Sequence, residues 1–451
     1  MADSVKTAAV IGGGWAGCSA AVELARAGYK VTLFEAARTL GGRARAVEAN
    51  GLTLDNGQHI LLGAYTETLR LLRLVDIDPA SALLNVPLQM RYPPAGQGMD
   101  FIAPRLIAPL HLAVALLRAK GLTRADKMSL ARFSTTARWM DWRLHVDCSV
   151  SELLERFDQT DRLIALMWRP LCLAALNTPP ERASAQVFLN VLRDSLGARR
   201  AASDMLLPRT DLSALFPTAA AAYIIARGGM VRTGAKVGAL SPIAQSDGRW
   251  QVEATGNQVD GNWSVQVDAA VLAGGAPSSA VLLAKLGKQE LATALMAFEY
   301  EPITTCYLQY GLGTRLDLPF YALLDDPASG RWGQFVFDRG QLELAQPGLL
   351  SVVVSASSQA GALERHALSG AIAEQLAHAF ARPELATPAW SQVITEKRAT
   401  FACTPGLQRP AIDVGLPGLA LAGDYTASDY PATLESAVRS GVGAARLVRT
   451  R

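Results

Sequence analysis

The hydrophobic pattern of the first 35 residues predicts a strand, a tight turn, a helix and a second strand. Residues 8–11 are an apolar run that ends at a cluster of glycines, and residues 16–27 place apolar side chains at helical spacing before Gly28. Residues 30–35 form the next strand-like run. This order opens a doubly wound α/β unit, in which parallel strands alternate with helices.

The pattern changes twice along the rest of the chain. Between residues 101 and 215 the apolar positions recur at helical spacing, as in 110–119, 124–141 and 187–196. Strand-like runs then return with a hairpin, whose arms 250–255 and 263–268 are joined by a Gly/Asn-rich turn. The later expected elements are strands 269–275, 304–310, 334–338, 351–356, 392–401 and 419–422, helix 361–381, and a closing helix from residue 433.

A chain of 451 residues is too long for one small core, so we predict two domains. The first is a Rossmann-like α/β domain that binds a dinucleotide and is assembled from residues 1–90, 216–290 and 402–451. The second is an interleaved α+β domain, residues 91–215 and 291–401, that supplies the substrate cavity. The fold class is therefore α/β with a discontinuous cofactor domain.

Composition narrows the range of partners. Half of the residues are apolar, and 43 basic against 40 acidic residues leave a net charge of only +3, so we expect no nucleic-acid partner. The five cysteines are scattered without a C-x-x-C pair, and we predict neither a metal site nor a disulfide framework. We expect a cytoplasmic protein, since no signal peptide precedes the first strand.

The longest apolar stretch, residues 106–117, contains Pro109 and His111 and is shorter than the ~20 residues that span a bilayer. Basic residues flank this stretch at positions 105, 118 and 120. One interpretation is peripheral contact with the inner face of the cytoplasmic membrane, with Leu112 and Leu116 in the contact. The other is a buried helix of the second domain.

The glycines after the first strand form the motif G-x-G-x-x-G. Gly12 would make the tight turn, Gly14 would let backbone approach a pyrophosphate, and Gly17 would let the helix that contains Ala16 pack closely against the sheet. The N-terminus of that helix attracts phosphate. Glu35, at the end of the next strand, is placed to accept hydrogen bonds from ribose hydroxyls.

Two further motifs resemble the flavoprotein superfamily of amine oxidases, carotenoid desaturases and protoporphyrinogen oxidase. They are Gly41-Gly42-Arg43 and a C-terminal strand that ends in Gly423-Asp424, with a helix to follow. The resemblance implies that the dinucleotide is FAD rather than NAD. The FAD contacts that it implies, beside the first glycine motif, come from Gly42, Arg43, Gly57, Gln58, Val237, Gly423, Asp424, Thr433 and Leu434.

Longer strings resemble one branch, the bacterial hydroxysqualene dehydroxylases. They lie at residues 55–60 (DNGQHI), 170–179 (PLCLAALNTP), 399–410 and 422–441. The resemblance covers nearly the whole chain and implies that reduced FAD converts the allylic alcohol hydroxysqualene to squalene for hopanoid synthesis. It does not identify the electron donor that reduces the flavin.

Asp55 and His59 are the candidate catalytic residues, because the Gly57 turn of this superfamily approaches the flavin. A proton donor beside the leaving hydroxyl would assist its departure. The alternative is that both are structural, with Asp55 accepting backbone hydrogen bonds and His59 packing.

Two other functions share the expected fold. A flavin desaturase acting on a carotenoid or another isoprenoid would carry the same cofactor motifs, and only the branch-specific strings argue against it. A non-enzymatic carrier of prenyl lipids would have no flavin to hold, so the Gly423-Asp424 unit argues against that function.

Overall fold

The computed structural model describes residues 5–96, 98–244, 248–256 and 261–450. Within these residues, five parallel strands form the central sheet of the predicted cofactor domain. In order across the sheet they are Met230–Thr233, Lys30–Glu35, Thr7–Ile11, Ala269–Leu272 and Leu419–Leu421. The three central strands are apolar and almost entirely buried, as expected for a parallel sheet that is covered on both faces.

Two helices from opposite ends of the chain pack on this sheet. Trp15–Arg26 is buried along nearly its whole length and contacts Leu434–Arg449. The contact is close because a Cβ added at Gly441 would lie only 2.1 Å from the carbonyl oxygen of Ala16. The N- and C-terminal segments therefore form one packed unit, together with helix Pro217–Ala226.

A second sheet is antiparallel and belongs to the predicted substrate domain. Its strands, in order, are Phe320–Ala322, Phe335–Asp338, Leu349–Val354, Tyr300–Gln309 and Trp390–Phe401. Alternate residues of each strand point to opposite faces. One face packs against helix Arg365–Phe380, and the other joins the large hydrophobic cluster that includes Trp168 and Phe188.

Residues 101–215 are mainly helical, in agreement with their periodicity. Two helices begin with capping boxes, from Thr123 to Asp126 and from Ser149 to Glu152, in which each side chain bonds the other residue's N–H. The α-helices of this region are Leu110–Arg118, Arg124–Trp139, Val150–Arg156, Asp161–Leu163, Arg169–Leu176, Ala185–Leu192 and Leu212–Leu215, with π-helical turns at Ile164–Trp168 and Arg193–Gly197.

The remaining elements are short. The predicted hairpin is present as Trp250–Thr255 and Asn262–Val267, and Lys236–Pro242 extends it to a three-stranded sheet; its turn includes residues 257–260, which lie outside the described part. The other strands are Ala46–Ala49, Leu52–Asp55, Leu61–Leu62, Leu83–Val86, Gln89–Arg91, Asp100–Ile102 and Met205–Pro208, and the other α-helices are Thr66–Leu74, Pro79–Ala82, Ala276–Lys285 and Gln289–Met296. Across the described residues, no helix combines the length and hydropathy needed to cross a bilayer.

Candidate active site

The first glycine turn closes tightly between the strand Thr7–Ile11 and the helix Trp15–Arg26. Gly12 has a φ of +114°, and a Cβ there would lie 2.5 Å from the carbonyl oxygen of Ala273. A Cβ at Gly17 would lie 1.8 Å from the carbonyl oxygen of Gly12. Neither position accommodates a side chain, so these two glycines are required by the fold itself.

Gly14 differs from its neighbours because none of the described residues crowds it. Its φ is −73°, and an added Cβ would meet only the Cα of Gly42, at 3.9 Å. The Gly41 N–H donates to the carbonyl oxygen of Gly13 at 2.8 Å, which holds the second glycine loop against the first. No side chain caps the helix that begins after Gly14. The two loops thus form a cradle without side chains at an uncapped helix N-terminus, an arrangement that suits a phosphate.

Glu35 anchors the same turn. Its Oε2 accepts a hydrogen bond from the Gly13 N–H at 2.6 Å, and its Oε1 accepts one from Ala37 N–H at 2.7 Å. Each oxygen keeps a second lone pair that can accept from a hydroxyl. The carbonyl oxygen of Glu35 accepts from Ala235 N–H at 2.8 Å, which brings the segment containing Val237 beside the predicted ribose position.

A salt bridge joins the two ends of the chain at the cradle. Arg43 Nη2 lies 2.5 Å from Asp424 Oδ1, and Arg43 Nη1 donates to the carbonyl oxygen of Ala399 at 2.8 Å. Thr433 caps the final helix through a capping box with Ser436, so the predicted contacts at Thr433 and Leu434 lie at a helix N-terminus. The structure therefore brings both glycine loops, Arg43 and Asp424 to one place.

The turn at residues 55–59 adjoins the second glycine loop. Asn56 Nδ2 donates to the carbonyl oxygen of Arg43 at 3.0 Å, which ties the two segments together. The buried carboxylate of Asp55 accepts from Leu212 N–H at 2.8 Å. Gln58 Oε1 accepts from Arg339 Nη1 at 2.9 Å. Asp55 thus bonds to backbone, as the structural alternative expected, and Gln58 is fixed by Arg339, which follows a strand of the antiparallel sheet.

The ring of His59 is held by its own turn. Its Nδ1 lies 2.7 Å from the carbonyl oxygen of Gly57, so this nitrogen carries the proton and donates. Burial lowers the pKa of His59, partly offset by that hydrogen bond, and favours the neutral ring. A neutral ring with Nδ1 protonated leaves Nε2 as an acceptor. This geometry favours a role in accepting a hydrogen bond over the proton donation predicted from sequence.

Comparisons with known proteins identify the family. The model of the family described as flavin containing amine oxidoreductase matches residues 15–449. The chain belongs to this family. A hydroxysqualene dehydroxylase of Rhodopseudomonas palustris is 31% identical over 98% of both chains, and one of Sinorhizobium fredii is 28% identical over 98% of both. An oxidoreductase from Methanosarcina mazei, 16% identical, superposes with a TM-score of 0.70 over 98% of this chain and 100% of that one, which supports the fold.

This family member is an FAD-dependent oxidoreductase. The cradle fits that cofactor on its own evidence. A Cβ at Gly14 would occupy space that no atom of the described residues fills, and the helix behind it presents N–H groups without a side-chain cap. We therefore expect the diphosphate to lie at Gly14 and Gly42, with Arg43 and Asp424 beside it.

Three residues beside the turn at residues 55–59 lacked any sequence signal. Arg339, Thr305 and Tyr307 come from the antiparallel sheet and its following turn, and all three are buried. Tyr307 Oη donates to the carbonyl oxygen of Asp55 at 2.9 Å. Arg339 also donates to Gln346 Oε1 at 2.9 Å and pairs with a glutamate one turn later. No motif surrounds these residues in the sequence.

Replacing Asp55 by asparagine should change how stability depends on pH. Burial raises the pKa of Asp55 to about 7, although the nearby Arg339 guanidinium lowers it. Because the folded-state pKa exceeds the unfolded one, the stability from this carboxyl is present below about pH 4 and is lost as pH rises through 7. We expect the melting temperature of Asp55→Asn to rise relative to wild type between pH 4 and 8. The exposed Asp141→Asn serves as control, and parallel wild-type and Asp55→Asn curves would contradict the assignment.

Proposed function

We propose that this oxidoreductase reduces hydroxysqualene to squalene, as a step in squalene and hopanoid synthesis. Residues 1–90, 216–290 and 402–451 would bind FAD, and residues 91–215 and 291–401 would bind the isoprenoid. The relatives named hydroxysqualene dehydroxylase support the substrate, since they align along almost their full length.

The observation that carries the proposal is the apolar face that the antiparallel sheet presents beside the Gly57 turn. Four neighbouring strands of this sheet pair in a register that places one residue of each in a row: Thr305, Val353, Phe335 and Ala322. The next row on the same face consists of Tyr307, Ser351, Phe337 and Phe320. Hydrocarbon and aromatic side chains dominate these rows, and Val353, Phe335, Ala322, Phe337 and Phe320 belong to the main hydrophobic cluster. The hydrocarbon chain of the substrate would pack along this face.

The reaction breaks the allylic C–O bond with its electron pair going to oxygen, which leaves as water after gaining a proton. The carbon gains a hydride, so the substrate is reduced by two electrons. Reduced FAD supplies that hydride when it is bound. The apolar rows exclude water and so protect an allylic cation from recapture. His59 Nε2 would accept a hydrogen bond from the substrate hydroxyl, and Asp55, whose pKa burial raises to about 7, would be protonated in about half of the molecules at neutral pH.

Anaerobic incubation of photoreduced enzyme with hydroxysqualene tests the proposal. We expect one squalene for each flavin that becomes oxidised, as measured by gas chromatography and flavin absorbance. If squalene does not form, while oxidised enzyme introduces double bonds into an isoprenoid hydrocarbon, the protein is a desaturase. Purified protein that neither contains nor binds flavin would instead favour the carrier function.

We further propose that the segment 105–143 attaches the protein to the inner face of the cytoplasmic membrane. It contains eight basic and two acidic residues, a net charge of +6, whereas the whole chain carries +3. Six large apolar side chains of the segment are exposed: Leu106, Ile107, Leu110, Leu117, Met128 and Trp139. Lys127 Nζ donates to the carbonyl oxygen of Leu117 at 2.8 Å, so the two helices of the segment are neighbours. Positive charge around exposed apolar groups suits an anionic lipid surface.

The structure corrects which side chains of this segment face outward. Leu112 and Leu116, which one of the two sequence interpretations placed in the membrane contact, are partly buried and pack against the main hydrophobic cluster. Both faces of helix Leu110–Arg118 are apolar, so its periodicity does not tell which face is buried.

The triple replacement of Ile107, Leu110 and Leu117 by serine should reduce binding to vesicles that contain phosphatidylglycerol by at least about 10-fold, because each side chain loses burial in the interface. FAD content should be unchanged. A control triple replaces Met296, Leu312 and Leu344, which are also exposed but lie elsewhere. Equal losses in both triples, or no binding of wild-type protein in a sedimentation assay, would refute the membrane contact.

A further inference from the structure

Thr305 carries a buried hydroxyl without a hydrogen-bond partner. Its side chain is 0% exposed, and within the described residues Oγ1 is one of four buried side-chain polar atoms that lack a partner. Burying a hydroxyl unpaired is unfavourable, and nearly all such groups in folded proteins are paired. A group of this kind in a reaction site indicates a partner that arrives with the substrate or solvent.

The position of this hydroxyl is at the junction of three parts of the site. A Cβ built on Gly57 would lie 3.9 Å from Thr305 Oγ1 and 3.8 Å from His59 Cε1. Thr305 is also the first residue of the row that continues across the sheet through Val353 and Phe335. Thr305 therefore presents a polar atom where the Gly57 turn, the histidine and the apolar wall meet.

The preceding residue shows that the strand satisfies a hydroxyl when it has only a structural role. Thr304 lies on the opposite face, also 0% exposed. Its Oγ1 lies 2.9 Å from Ser357 Oγ and 3.0 Å from Thr395 Oγ1. The two adjacent threonines thus differ in one respect: the hydroxyl on the helix-packed face is bonded, and the one beside the Gly57 turn is not.

We propose that Thr305 is a catalytic residue that binds the substrate's hydroxyl group through Oγ1. The inference rests on the proposed function, which it deepens. Thr305 donates a hydrogen bond to the oxygen of the C–O bond that breaks, and it retains its own proton throughout. That oxygen takes the bonding electron pair and one proton, which comes ultimately from the bulk solvent, and leaves as water, while the carbon receives a hydride from reduced flavin. The hydrogen bond favours departure because negative charge develops on the oxygen.

Such a hydroxyl would also make the site bind the substrate more tightly than the product. Squalene has no oxygen, so when it occupies the site it leaves Thr305 unpaired again. Sites built to bond a hydroxyl reject analogues that lack it, because a buried polar group is then without a partner. Thr305 would therefore favour binding of the alcohol and release of the hydrocarbon.

The test compares Thr305→Val, Thr305→Ser and Thr304→Val in the full-length protein. Valine matches threonine in shape and removes only the hydroxyl. For Thr305→Val we expect kcat/KM for hydroxysqualene to fall about 10- to 100-fold, and the preference for binding hydroxysqualene over squalene to fall similarly. Thr305→Ser should restore most of both. Thr304→Val should keep kcat/KM within about twofold of wild type and should lower the melting temperature.

The melting temperature of the apoprotein distinguishes a catalytic from a structural hydroxyl. Removing an unpaired buried hydroxyl should leave the apoprotein of Thr305→Val at least as stable as wild type, with an increase of about 1–2 °C. A lower melting temperature with unchanged kcat/KM would overturn the inference and leave the dehydroxylase function standing. If wild-type protein forms no squalene, the proposed function fails. In that case the role of Thr305 is tested by binding alone, measured by perturbation of the flavin spectrum. A preference for hydroxysqualene over squalene that is equal in wild type and Thr305→Val would overturn it.

Discussion

Replacing Gly14 by valine is expected to weaken FAD binding strongly while the apoprotein remains folded. The φ of Gly14 is −73°, which valine adopts without strain, and an added Cβ would approach only the Cα of Gly42, at 3.9 Å. The valine methyl groups would instead fill the cradle between the two glycine loops. Phosphate would then lose its bonds to the helix N–H groups, and bonds to charged groups contribute about 1.5–3 kcal/mol each. Losing two of them weakens FAD binding at least about 100-fold.

Two other glycines provide the controls for this experiment. Gly17→Ala places a Cβ 1.8 Å from the carbonyl oxygen of Gly12, so the fold itself should be damaged. Gly370→Val lies on an exposed part of helix Arg365–Phe380, with no atom near its Cβ, and should leave FAD affinity unchanged. Titration of the apoprotein with FAD measures affinity, and circular dichroism reports the fold. A Gly14→Val protein that binds FAD as tightly as wild type would show that the diphosphate lies elsewhere.

The cofactor fold could be predicted because its determinants are local. The second strand begins and ends where its apolar run does, at Lys30–Glu35, and the first helix ends within a residue of the predicted position. Glycines at fixed spacing then identify the turn, since few other residues tolerate the backbone of Gly12. A short segment of sequence contains all of this information.

The reaction site could not be predicted in the same way. Tyr307 bonds to Asp55 across 252 residues of sequence, and Arg339 bonds to Gln58 across 281. Hydrophobic periodicity shows that these strands exist, but it does not show which strand meets the 55–59 turn. The unpaired state of the Thr305 hydroxyl is likewise a property of the packed structure, and its neighbour Thr304 looks the same in sequence.

Replacing Asp424 by asparagine is expected to weaken FAD binding by about 10- to 100-fold. The carboxylate is buried and lies 2.5 Å from Arg43 Nη2, so the pair holds the C-terminal strand end against the second glycine loop. Asparagine keeps the shape but removes the charge, and a charge-assisted hydrogen bond contributes about 1.5–3 kcal/mol. Asp326, which lies 2.8 Å from Arg331 Nη2 in a more exposed loop, is the matched control, and Asp326→Asn should leave FAD affinity unchanged.

A double-mutant cycle with Arg43→Met decides whether Asp424 acts on the cofactor directly or only through the arginine. If the aspartate serves only to position Arg43, the two single variants lose equal affinity and the double variant loses no more. We expect Asp424→Asn to lose more than Arg43→Met, because the resemblance to flavoproteins places this carboxylate on the ribitol and diphosphate region. The double variant should then lose more than either single variant and less than their sum, since the residues are in contact. If Asp424→Asn binds FAD with the affinity of the wild type in the same titration, Asp424 does not belong to the FAD site.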